Sequence, residues 1–395
     1  MIILKPDYYD KFKCIAGQCP DSCCIGWKIS VDKESFCKYR KIKGEFGTYL
    51  NHNVSRDRSA KSNSRYGKIS LIKGSRCSFL DENNLCQIYI NLGEEFLCNV
   101  CTQYPRDIKR IGDRCEKVMT ISCPEVARLI LQSEEPMSFT MTEEKTDELD
   151  RLGVTSKPFD KELELFFWNV RMSLIDIAQL REIPTWKRIV FIKQFSDKIQ
   201  QQIKSKNYSD KLSTTFMEYV NSEQVRTTLD NIKINRKVKS DFIESLLQFR
   251  MSIGTGNNRF IILAKQMQEF FSLINDEKIN IDHIETQFNE YFLTKEYILE
   301  HYMTYYIYDN VMIALWNKDL DREICLLSIY YMFIKQFLMV EWYNNDNKLE
   351  MSNVINVIYS FSRAIEHNIQ FRNALYEKLK ENEINNLNYI ATFVR

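Results

Sequence analysis

Residues 14–27 read Cys14-Ile15-Ala16-Gly17-Gln18-Cys19-Pro20-Asp21-Ser22-Cys23-Cys24-Ile25-Gly26-Trp27, a C-x4-C-x3-C-C run threaded with glycine and proline. Gly17, Pro20 and Gly26 permit the tight turns that converging thiolates need if each sulfur is to approach a metal to about 2.3 Å. Adjacent Cys23 and Cys24 are strained when both bind one tetrahedral ion, so they point to different neighbours or to different irons. A segment of this kind folds as an irregular module held by metal.

Working outward, eleven of the twelve cysteines lie between Cys14 and Cys123, and Cys325 alone falls in the rest of the 395-residue chain. Two different kinds of chain are therefore joined. Downstream of the opening run come Cys77, Cys86, the pair Cys98 and Cys101, then Cys115 and Cys123. Zinc ribbons carry two C-x2-C knuckles and only Cys98-x2-Cys101 matches, so zinc is the alternative rather than the first choice. Soft thiolates among Phe79, Leu80, Ile88, Tyr89 and Leu97 suit an iron-sulfur cluster, with 4Fe-4S favoured, because cluster sulfurs want a screened, hydrogen-bonded pocket. One cluster needs four thiolates, so the excess implies a second site or buried structural thiols. The C-x3-C-x2-C motif of radical enzymes fails, because Cys19-x3-Cys23 is followed by Gly26 where a cysteine is required. No G-x-G-x-x-G after a strand and no Walker loop is present.

Lys plus Arg number 54 against 53 for Asp plus Glu, which gives no reason to expect nucleic acid as partner. The start, Met1 to Lys11, breaks its apolar residues with charges and a proline, which excludes a signal-peptide core and a spanning helix; a cytoplasmic protein without a membrane segment is expected. In that reducing compartment clustered cysteines argue for metal rather than disulfides.

The fold class expected is mainly α: an irregular cysteine-rich metal-binding module over residues 1–131, a linker over 132–158, and an all-α domain over 159–395. Lys28 to Val31 alternates like a strand, Asn51 to Ser75 suits an exposed loop, and a helix opens at Cys123-Pro124. Leu163, Phe166, Phe167, Val170 and Leu174 repeat at helical spacing, as do Met351, Val354, Ile355, Ile358, Phe361 and Ile365. Pro184, Gly254 to Asn257 and Asn344 to Asn347 punctuate the helices. Ile324 to Val340 reads as a buried central helix, and the aromatic stripe of Tyr302, Tyr305, Tyr306, Tyr308 and Trp316 as core.

The order F-x-C-x4-C-x3-C-C-x-G-W (Phe12 to Trp27), C-x-F-L-D-x4-L-C-x-I-Y-x2-L-G (Cys77 to Gly93), C-x2-Y-P-R (Cys101 to Arg106) and S-C-P-E (Ser122 to Glu125) resembles the bacterial flagellin lysine N-methylases. Their cysteine-rich part is similar to a wider group of iron- or zinc-chelating proteins. The likeness covers about the first third of the chain, and the helical remainder agrees in length and character. It implies that Cys14, Cys19, Cys23, Cys24, Cys77, Cys86, Cys101 and Cys123 hold metal, with Cys37, Cys98 and Cys115 additional and Cys98 a local substitute for Cys101. It further implies a protein-lysine N-methyltransferase that uses S-adenosylmethionine, with flagellin as protein substrate. Tyr104 and Arg106 are candidate cofactor contacts, the arginine as a clamp on the methionine carboxylate. Asp81 reads as a turn former and Trp27 as packing beside the thiols. The alternative of another class is a non-catalytic metal-binding adaptor that docks a partner through its helices.

Overall fold

The structure, a computed structural model, describes residues 1–73, 75–112, 114–144, 161–209, 211–232 and 235–395. The chain divides into two compact units, the first comprising Met1–Ala127, Thr140–Ser156 and Gly254–Asn258 and the second the remainder.

In the first unit the strands are β1 (Ile2–Pro6), β2 (Ser30–Val31), β3 (Val54–Arg56), β4 (Gly67–Ile69), β5 (Leu71–Ile72), β6 (Arg76–Cys77), β7 (Arg106–Ile111), β8 (Arg114–Met119) and β9 (Phe139–Glu143). They form a four-stranded sheet in the order β7-β8-β1-β9, a three-stranded sheet β2-β4-β3 and the pair β5-β6. The module expected to be irregular is therefore organised on small sheets. β7 and β8 are antiparallel, with Ile111 opposite Arg114, and Gly112 follows at φ 57°, where a Cβ would be strained. β1 lies parallel to β8 with Ile3 beside Cys115. Within the segment expected as a linker, residues 139–143 make the edge strand β9 beside β1, while 145–158 lie outside the described residues.

Short helices fill the gaps: α1 (Lys33–Tyr39), α2 (Gly44–Asn53), α3 (Gln87–Leu92), α4 (Asn99–Gln103) and α5 (Pro124–Leu131). Asp32 caps α1 by accepting from Ser35 N at 2.9 Å and also accepts from Asn99 N at 3.0 Å, so one carboxylate ties the starts of α1 and α4. Burial pushes that carboxyl up, but the amides of Asn99 and Ser35 outweigh it and hold the acid below its ordinary value.

From Lys161 onward the described elements of the second unit are helices: α6 (Lys161–Ala178), α7 (Thr185–Ser205), α8 (Lys211–Asn221), α9 (Glu223–Thr228), α10 (Arg236–Ser252), α11 (Asn258–Asn275), α12 (Ile281–Phe292), α13 (Tyr297–Trp316), α14 (Leu320–Asn344), α15 (Met351–Phe361), α16 (Ile369–Glu381) and α17 (Leu387–Val394), with one π-helical turn at Ser362–Glu366. Phe166, Phe167, Val170 and Leu174 form the buried stripe of α6. Helices α13 and α14 are buried nearly all round, as their uniformly apolar and aromatic sequence requires. Tyr302, Tyr305, Tyr306 and Tyr308 lie in the core. Among the described helices α14 alone is long and apolar enough to cross a membrane, and 89% of its most apolar stretch is packed inside the unit. One charged cluster is partly buried with them: Arg181, half-exposed, forks onto both oxygens of the buried Glu300 at 2.9–3.1 Å, and the buried Arg188 Nη1 reaches Glu300 at 2.8 Å. Arg188 also donates to the carbonyls of Ala178 and Ile183, which satisfies the cation where water is absent.

Candidate metal centre

The opening cysteine run is held by an antiparallel contact with β6. Cys77 N donates to Cys24 O at 2.9 Å and Gly26 N to Ser75 O at 2.9 Å, which sets Cys24 and Cys77 side by side. Gly26 adopts φ +94°, and Gly256 of the helical punctuation Gly254 to Asn257 packs on it. The next thiol is positioned by a turn. Asp81 Oδ1 accepts from Asn83 N and Leu85 N, and Asp81 N donates to Leu85 O, bringing Cys86 to the N-cap of α3. Asp81 is thus the expected turn aspartate. Gly17 of the first run lies over Leu85.

Cys98 occupies the N-cap of α4, Cys101 sits within α4, and Cys123 immediately precedes α5. A helix start presents unpaired amides, and these amides favour sulfur as thiolate. Burial pushes the Cys86 thiol up, while the amides of Tyr89 and Ile88 pull it down. Burial likewise raises Cys77 to about 11 against the amide of Phe79, and Cys123 to about 12 against the amides of Val126 and Glu125. Cys98 and Cys101 lie 3.5 Å apart and share their protons: Cys98 is drawn below the ordinary thiol value by Cys101 and by nearby amides, and Cys101 is pushed up by Cys98 and burial. Cys24, half-buried and hydrogen-bonded to the Cys23 thiol across 3.9 Å, is also pushed up by that contact and by desolvation.

These couplings sort the sulfurs. Cys24, Cys77, Cys86, Cys98 and Cys101 stand in one electrostatic neighbourhood. Cys23 belongs to the same neighbourhood, acting on Cys24, Cys77 and Cys86, and it also reaches Cys123, on which Cys19 acts as well. Thiolates 2.3 Å from a tetrahedral metal sit about 3.8 Å apart, close to the Cys98–Cys101 and Cys23–Cys24 spacings. Among the described residues no three donors are already gathered closely enough to enclose an ion, so the preformed units are pairs. The donor chemistry nonetheless fits a thiolate-held metal: free sulfurs, apolar cover and backbone amides directed at four of them.

Of the other cysteines, Cys14 and Cys37 are exposed, and Cys115 is buried in β8 with its sulfur 3.0 Å from Met1 Sδ. Cys325 is buried in α14. Cys98 is the residue that the motif comparison set apart and that the structure brings in beside Cys101. Its signal was the C-x2-C spacing itself. Trp27 donates from Nε1 to Cys23 O at 2.7 Å and clamps the run. Tyr104 OH lies 3.2 Å from Ser122 Oγ, and the Arg106 guanidinium rests over the Phe12 ring at 4.9 Å.

Residues 171–393, more than half of the chain, match the family model described as FliB lysine N-methylase C-terminal domain. The whole chain is similar to proteins named lysine-N-methylase: 25% identical over 385 residues to that of Salmonella typhimurium, covering 93% of this chain and 92% of the relative. The corresponding figures for Salmonella choleraesuis are 25% over 383 residues, again 93% and 92%. A flagellar biosynthetic protein, FliU of Salmonella muenchen, is 31% identical over 138 residues, 34% of this chain and 80% of the relative. No solved structure matches. The class these likenesses define is that of protein-lysine N-methyltransferases. The chain belongs to the FliB lysine N-methylase family.

Proposed function

We propose that the chain transfers methyl groups from S-adenosylmethionine to lysine side chains of flagellin, in the cytoplasm, with a thiolate-held metal in its first unit. Its family membership over residues 171–393 carries the reading. The flagellar name of the partial relative supports the substrate, and twelve free thiols support a reducing compartment.

The neutral lysine nitrogen attacks the sulfonium methyl carbon, the carbon-sulfur bond breaks toward sulfur, and S-adenosylhomocysteine leaves. Lysine has a reference pKa of about 10.4, so the site has to favour the uncharged amine or accept its proton. The metal would be an iron-sulfur cluster, or zinc, held by ligands drawn from Cys24, Cys77, Cys86, Cys98 and Cys101, with Cys19, Cys23 and Cys123 adjoining. When bound, it would offset part of the charge of the thiolates that hold it and contribute folding free energy to the first unit.

The test is incubation of anaerobically purified protein with flagellin and S-adenosylmethionine, read by intact mass. Gains of about 14 Da per methyl, on lysine, are expected. Flagellin that binds without any mass change would leave the non-catalytic adaptor in its place.

A further inference from the structure

Between α13 and the starts of α14 and α16, the second unit contains a cavity of about 330 Å³, a size that suits a small-molecule ligand. Arg322, Arg372, Asp319 and Glu323 line it, so both charge signs meet in one space and the four formal charges cancel. The cations are incompletely used: Arg322 Nε and Arg372 Nε are buried with no hydrogen-bond partner. Arg322 Nη2 donates to Asn373 Oδ1 at 2.5 Å, while its pairing with the acids is loose, 3.7 Å from Asp319 and 4.0 Å from Glu323.

The floor is fixed by an ordered network. Arg372 Nη2 lies 2.8 Å from Glu323, which also accepts from Tyr306 OH at 2.8 Å. Behind it, Tyr302 OH and Ser362 Oγ donate to Glu366 on the π-helical turn. Such turns recur where a helix is distorted for function. Asn310 and Asn317 and the apolar Ile313 and Ile369 also line the wall, Asn310 donating from its amide to Tyr306 O at 3.1 Å.

We infer that this cavity binds the amino-acid head of S-adenosylmethionine, its carboxylate against Arg322 and Arg372 and its ammonium against Asp319. The inference rests on the methyltransferase reading and gives it a binding site built from residues of the helical unit and not from Arg106.

Calorimetry with S-adenosylhomocysteine tests it on the full-length, metal-replete chain, comparing wild type with Arg322→Ala, Ile313→Trp and Arg106→Ala. Ile313 is 42% exposed, so tryptophan there fills the cavity mouth without disturbing the core. Affinity is expected to fall at least about tenfold in Arg322→Ala and Ile313→Trp, with thermal midpoint and metal content retained, and to stay unchanged in Arg106→Ala. Methylthioadenosine, which lacks the amino-acid head, should bind wild type and Arg322→Ala equally. Wild-type affinity in both cavity variants overturns the site but leaves the methyltransferase reading standing. Failure of wild type to bind S-adenosylhomocysteine overturns both.

Discussion

Gly26 and Gly256 meet backbone to backbone: a Cβ built on Gly256 would lie 3.2 Å from Gly26 Cα and 3.5 Å from Ser75 Cβ. Residues far apart in sequence thus brace the loop that carries Cys23 and Cys24. A side chain at Gly256 would force the loop to give by a few tenths of an ångström, and one at Gly26 would be strained by its φ of +94°.

Gly256→Val should therefore displace the cysteine loop. A destabilisation of about 1–3 kcal/mol, typical of overpacking, is expected together with reduced metal content. Chemical denaturation and elemental analysis of the same sample check it. Unchanged stability and full metal content would mean the loop is braced elsewhere.

The Arg181–Glu300–Arg188 cluster makes a prediction for the helical unit alone. Glu300→Ala strands a buried arginine, because Arg188 is 3% exposed, and should cost roughly 3–5 kcal/mol. Arg181→Ala should cost far less, since Arg181 is 40% exposed and can be replaced by water. Urea midpoints of the two variants give the ranking, and equal costs would show that the pair is not desolvated as described.

The helical unit was legible in the sequence because its stripes repeat at the helical period over long stretches. Phe166, Phe167, Val170 and Leu174 mark the buried face of α6, and Val354, Ile358 and Phe361 that of α15. Pro184 stands at the N-cap of α7, and α14 ends at Asn344 ahead of Asp346 and Asn347, both at positive φ. Of the sheets, only β2 was legible, within the alternation of Lys28 to Val31. β2, β5 and β6 are two residues long, and β7 and β8 carry Arg106, Arg110, Arg114 and Lys117 among their apolar positions. The pairing of β1 with β8 joins residues more than a hundred apart, which no local pattern encodes. Ile108, Ile111 and Gly112 were the nearest thing to a hairpin signal.

At the candidate metal centre, the motif order picked out the region but not the pairing. Cys98 lay outside the family pattern, yet its helix-cap position puts its sulfur 3.5 Å from Cys101. Cys98→Ser should lower the bound metal, whereas Cys115→Ser, which alters a sheet core beside Met1, should leave metal content intact and lower stability alone. Metal-to-protein ratios and thermal midpoints separate the two effects, and the reverse pattern would reassign the ligands.

The most direct test of the account is iron, zinc and acid-labile sulfide analysis of the intact, anaerobically purified chain, paired with thiol titration under denaturing conditions. Bound metal at no less than one equivalent is expected, with iron and sulfide together if the centre is a cluster. A soluble, folded sample holding neither metal, with its first-unit thiols all free or oxidised to disulfides, would contradict it.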